Sequence, residues 1–117
     1  MTGIAPVTLA AAAAKAAVST KGVVRLHRGP GGTVATYGAG RRVPGVRVGD
    51  GPQIHVHLVV TLDRPIPMVA ADVRDAVLAA LERLGDFGRV VHVHVADVHP
   101  EAGAGSGDEQ LPVTEEL

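Results

Sequence analysis

The sequence predicts an α+β fold: a small mixed β-sheet with two helices packed on one face. Three stretches carry that expectation. Residues 53–62 alternate with a period of two, Ile54, Val56, Leu58, Val60 and Leu62 against Gln53, His55, His57, Val59 and Thr61. That is the pattern of a strand with one buried face and one that can meet water or a partner. Residues 67–84, led in by Ile66, repeat apolar side chains at three- and four-residue steps (Val69, Val73, Val77, Leu81, Leu84). Asp72, Asp75, Glu82 and Arg83 fall mostly on the other side, as in a helix resting on a core. Residues 90–98 return to a period of two, Val91, Val93 and Val95 against His92, His94 and Ala96. Strand 53–62, helix 67–84 and strand 90–98 make a β-α-β unit, with a right-handed crossover if the strands are parallel.

The other elements fit around that unit. Residues 7–17 have the highest helix propensity, an alanine run interrupted by Lys15. Pro6 suits the first turn, where its missing N–H costs nothing. This helix should stop near Ser19 to Gly22. Val23 to His27 reads as a short strand, Gly29-Pro30-Gly31-Gly32 as a plain hairpin turn, and Thr33 to Tyr37 as a second short strand. Gly38 to Gly40 break that strand, Arg41 to Val48 is a loop or irregular strand, and Gly49 to Pro52 turn the chain into 53–62. Pro65 and Pro67 open the second helix and Gly85 ends it. Residues 1–100 thus form a single domain. Residues 101–117, rich in Gly, Ala and acids without periodicity, are expected to be a disordered acidic tail.

Composition narrows the function. A chain of 117 residues suits one domain. It is 46% hydrophobic, but Tyr37 and Phe87 are its only aromatics, so the core must be Val, Leu, Ile and Ala. It has no cysteine, which excludes disulfides, thiolate metal sites and a cysteine nucleophile. Net charge is −1 but unevenly placed. Residues 1–100 hold all 11 Lys and Arg against seven acids, and 101–117 hold the other five acids and no base. A basic body with an acidic tail suggests nucleic-acid binding or self-masking. No base precedes the apolar stretch Ile4–Ala14, as a secretory signal would require. No window supplies the roughly 20 apolar residues of a spanning helix. The expected location is the cytoplasm, without direct membrane insertion.

Two His-x-His pairs, His55/His57 and His92/His94, are the sharpest local feature. Residues two apart on a strand share a face, about 7 Å apart at Cα. Neighbouring strands in register would bring four imidazoles together, as a zinc, nickel or copper site requires. The plainer reading is four half-exposed sheet residues, and no metal or other cofactor is expected. The same cluster could respond to pH, since histidine charges near neutrality. Arg41, Arg42 and Arg47, with Arg25 and Arg28, could form a basic patch, but two aromatics give single-stranded nucleic acid no stacking platform. Gly29 to Gly32 spells the G-x-x-G of RNA-binding KH domains, yet it lies between strand-like segments and Pro30 removes an N–H. Ser19 and Ser106, the only serines, occupy no nucleophile elbow. There is no phosphate-binding G-x-x-x-x-G-K-[ST], and Asp97 reads as a strand-end residue. Catalysis and a small-molecule substrate are not expected.

The order of elements resembles a known family. The residues that carry the likeness are the Ala-rich first helix followed by Lys21-Gly22-Val23-Val24, the stretch Gly40 to Val48, and the strand ending Leu58-Val59-Val60. To these add Pro65-Ile66-Pro67 followed by Val69-Ala70 and Val73-Arg74, and above all the final strand Val91 to Val98. Over residues 5–99 the chain resembles the bacterial alkaline-shock-protein family of envelope stress response proteins. The likeness implies a non-enzymatic α+β domain of the bacterial cytoplasm, abundant under alkaline or envelope stress. It also implies that some members are held at the membrane by a separate anchor protein. The strand histidines are not part of that pattern, and the first helix is unusually poor in charges. The expected function is a self-associating scaffold or docking module whose partners are a second copy of the chain and a membrane-anchored protein. The alternatives are a metal-binding module using His55, His57, His92 and His94, or a weak nucleic-acid binder working through the Arg41/Arg42/Arg47 loop.

Overall fold

A computed structural model describes residues 3–100, so the expectation of a disordered tail at 101–117 lies outside the described residues. In chain order the elements are α1 (Pro6–Val18), β1 (Val23–Leu26), a 3-10 turn (Pro30–Gly32), β2 (Ala35–Gly38) and β3 (Arg41–Pro44). They continue with β4 (Val46–Val48), β5 (Gln53–Thr61), α2 (Ile66–Arg83) and β6 (Val90–His99). The fold is α+β, with two helices and a mixed sheet. Prolines at the first turn of both helices lose no hydrogen bond there, and Gly85 leaves α2 at φ 86°.

β5 is the central strand. β6 lies parallel to it along its whole length, from Gln53 beside Val90 to Thr61 beside His99. β1 and β4 run antiparallel to it and share its other edge end to end, β1 opposite residues 58–60 and β4 opposite 54–56. His57 sits where they meet. Its carbonyl accepts from His27 N–H (2.8 Å) and its N–H donates to the Gly45 carbonyl (2.9 Å). Gly45 has φ 86°, and a Cβ there would lie 2.7 Å from Leu26 Cβ and 3.2 Å from the His27 carbonyl. Only glycine fits so close an approach at that backbone angle.

Two sequence expectations are corrected. Gly29–Gly32 does not join a hairpin, because β1 pairs with β5 while β2 pairs with β3. The hairpin is β2–β3, closed by Ala39 and Gly40, both at positive φ. Arg41 to Val48 is neither loop nor irregular strand but two strands separated by Gly45. Thr36, buried between them, donates to the Val46 carbonyl (2.7 Å) and accepts from Val48 N–H (3.2 Å), fastening the hairpin to β4.

Both helices pack on one face of the sheet. Val7, Leu9, Ala10, Ala13 and Ala17 of α1 meet Val69, Val73, Val77 and Leu81 of α2 over Ile54, Val56, Leu58 and Val60 of β5. Burying each Val or Leu contributes about 1.5–3 kcal/mol. Leu62 and Leu84, read as core positions, are 58% and 42% exposed because each lies just past the end of its element. Among the described residues no helix is long and apolar enough to cross a membrane.

Candidate functional site: the open histidine face

The register of β5 and β6 decides what lies opposite the helices. His55 pairs with His92 and His57 with His94, so the two His-x-His runs point to the same side, away from the buried Ile54, Val56 and Leu58. After Leu58–Val95 the register shifts, with Val59 beside Asp97 and Thr61 beside His99. Ala96 is the extra residue of a β-bulge, and it reverses the alternation. Asp97 and His99 therefore join the histidine side, while Val98 packs against the core. From the other edge, Arg47 stands opposite His55 and Arg25 opposite Val59. His27, bonded to His57 through the backbone, lies on the same face.

All six histidines of the chain thus share one sheet face. His57 stacks on His94 (centroids 4.3 Å, planes 15° apart), His94 on His55 (5.2 Å, 24°) and His55 on His92 (4.7 Å, 14°). His55 Nδ1 and His94 Nε2 are 2.9 Å apart, a hydrogen bond that requires one ring to present an unprotonated nitrogen. His27 Nδ1 accepts from Gly29 N–H (2.9 Å), which puts the proton of its neutral form on Nε2. His99 Nε2 lies 3.4 Å from Arg25 Nη1. Burial, then the neighbouring charges of His92, His94 and Arg47, lower the pKa of His55 below the ordinary histidine value. Burial, then His94, His55 and His27, lower that of His57. Val59 is fully buried although it lies outside the helix-facing cluster. A cleft of about 600 Å³ opens on this face between Pro30, Arg47 and Asp50 on one side and His55, His57 and His94 on the other.

The structure brings the four histidines of the two runs together as a ladder of nearly parallel rings. His55 Nδ1 and His94 Nε2 bond to each other, and among the described residues no three His, Asp or Glu are arranged to hold a metal ion. The arginines divide. Arg47 lies on the histidine face, Arg42 lines a groove of about 580 Å³ beside α1, and Arg25 and Arg28, on the edge strand and the loop after it, border both that groove and the histidine side. Arg42 also contacts Tyr37, donating to its hydroxyl (3.4 Å). Arg41 and Arg42 lie on β3 and Arg47 on β4, with Gly45 between the two strands. Gly29 is glycine for packing, since a Cβ there would collide with Val34. Ser19 donates to the Lys15 carbonyl and Asp97 accepts from Val98 N–H, both local backbone contacts.

Sequence reasoning did not place four members on the face: Arg25, His27, Asp97 and His99. His27 and Arg25 alternate correctly on their strand, but pairing with β5 was needed to align them. His99 required the bulge, which no periodic reading contains. Comparison with known proteins finds no matching family profile, no matching curated protein and no matching solved structure.

Proposed function

We propose that this chain is a non-catalytic docking module of a bacterial envelope or alkaline stress response, and that its working surface is the histidine face. A second copy covers that face, and a membrane-anchored protein is the further partner that would hold the assembly at the inner side of the membrane. The observation that carries this reading is the gathering of every histidine, with Arg25 and Arg47, on the sheet face opposite both helices. The family resemblance over residues 5–99 supports the cellular setting. The mechanism is electrostatic. Protonated imidazoles and fixed guanidiniums repel the same face of another copy, and neutral imidazoles remove most of that repulsion. Association is therefore stronger on the alkaline side of the histidine range. Sedimentation at pH 8.5 and pH 5.5 tests this, with the expected mass larger and concentration-dependent at pH 8.5. Equal mass at both values would refute it.

A further inference from the structure

The two charge blocks of the chain are separate in sequence. Residues 23–49 hold five arginines and no acid, whereas 101–117 hold five acids and no base. Part of the first block lies on or beside the histidine face. Arg25 and Arg47 are on it, and Arg28 shares a groove of about 340 Å³ with Arg25 and His27. Among the described residues the ion pairs are Arg64–Asp72 and Arg89–Asp86, so these three guanidiniums have no carboxylate partner there. The acidic block begins at Glu101, two residues beyond His99, which is itself on the face and beside Arg25. It therefore leaves the described fold at the rim of that surface. The far row, Arg47–His55–His92, lies seven strand residues back from His99, about 24 Å. Eight extended residues span that distance.

We infer that the acidic segment Glu101–Leu117 is a proton-gated occupant of the histidine face, its carboxylates pairing with Arg25, Arg28, Arg47 and the charged histidines. The groups that set the gate come from every strand of the sheet. β1 and its following loop supply Arg25, His27 and Arg28, and β4 supplies Arg47. β5 supplies His55 and His57, with Asp50 in the turn before it. β6 supplies His92, His94, Asp97 and His99. At acid pH the histidines add positive charge that the five carboxylates neutralise. At alkaline pH three arginines remain, opposed by Asp97 and Asp50, and the attraction is small. Tethering raises the effective concentration of the segment to the millimolar range, so weak pairing suffices. The inference deepens the proposed function and rests on it only for its consequence: a bound segment keeps a second copy off the face, and alkalinity releases it.

The chain has no cysteine, so Ser106→Cys accepts a single nitroxide on the 117-residue chain. Paramagnetic broadening of backbone amides is then read at pH 5.5 and low salt. The expected result is strong broadening at Arg25–Arg28, Arg47 and His92–His99, with little over Val69–Leu81. It should fall at least threefold at pH 8.5, and equally when Glu101, Glu109, Glu115 and Glu116 become Gln and Asp108 becomes Asn. A mixture of spin-labelled and isotope-labelled chains reads contact between copies. Broadening that survives removal of the five carboxylates, that covers both faces evenly, or that appears equally in the mixture overturns the inference. Because the within-chain signal is measured in dilute monomer, it stands or falls separately from self-association.

Discussion

His57 holds β1 and β4 to the central strand through its own backbone, and its ring is one end of the imidazole ladder. The second role favours a neutral ring, because charged imidazoles stacked on one another repel. Its pKa and that of His55 are lowered by burial and then by neighbouring positive charge, so the unfolded chain takes up protons at these positions before the folded one does. The stability they contribute is complete above the ordinary histidine range and is lost as pH falls through that range toward the folded values. The expected outcome is a Tm that is flat above about pH 7.5 and drops between about pH 7 and pH 5, the span over which histidine charges. The drop should be smaller in His55→Asn with His57→Asn, as a thermal melt series would show. Gly45 is the other decisive residue. Gly45→Ala places a methyl group 2.7 Å from Leu26 Cβ at φ 86°, which should cost more than about 2 kcal/mol by denaturant unfolding.

At the scale of elements, the long periodic ones were readable and the short ones were not. The strand 53–62, the helix 67–84 and the strand 90–98 each reappear within about a residue, because each repeats its period several times. The small strands carry only three or four residues apiece, too few to register a period, and their pairing depends on partners distant in sequence. Gly29–Gly32 looked like the obvious hairpin turn, yet the chain turns at Ala39–Gly40, where Ala39 holds φ 50°. That angle is unfavourable for alanine and easier for asparagine. Ala39→Asn should therefore stabilise the protein by about 0.5–1 kcal/mol, seen as a raised urea midpoint. The bulge at Ala96 shows the limit of pattern reading. Strict alternation would send Asp97 and His99 into the core, and one extra residue places both on the opposite face.

As a whole, the molecule is a two-sided sheet with unequal sides. The helix side is filled by aliphatic residues from α1, α2 and β5, which the hydrophobic pattern alone specified. The other side holds every histidine and two arginines, and there the sequence disclosed four of the six histidines as a set. The rest followed from tertiary pairing. In the proposed function, another copy docks on this second side when its imidazoles are neutral. His94→Lys tests it most directly, because His94 is exposed and lysine installs a charge that alkaline conditions do not remove. Mass would be measured by light scattering across concentration at pH 8.5, with and without EDTA, alongside Asp75→Lys on the outer side of α2 as a control. The expected outcome is concentration-dependent mass for the unaltered chain and for Asp75→Lys, no effect of EDTA, and a monomer for His94→Lys. A His94→Lys chain that associates as strongly as the unaltered one would contradict it, and association abolished by EDTA would transfer the role to a metal bridging the histidines.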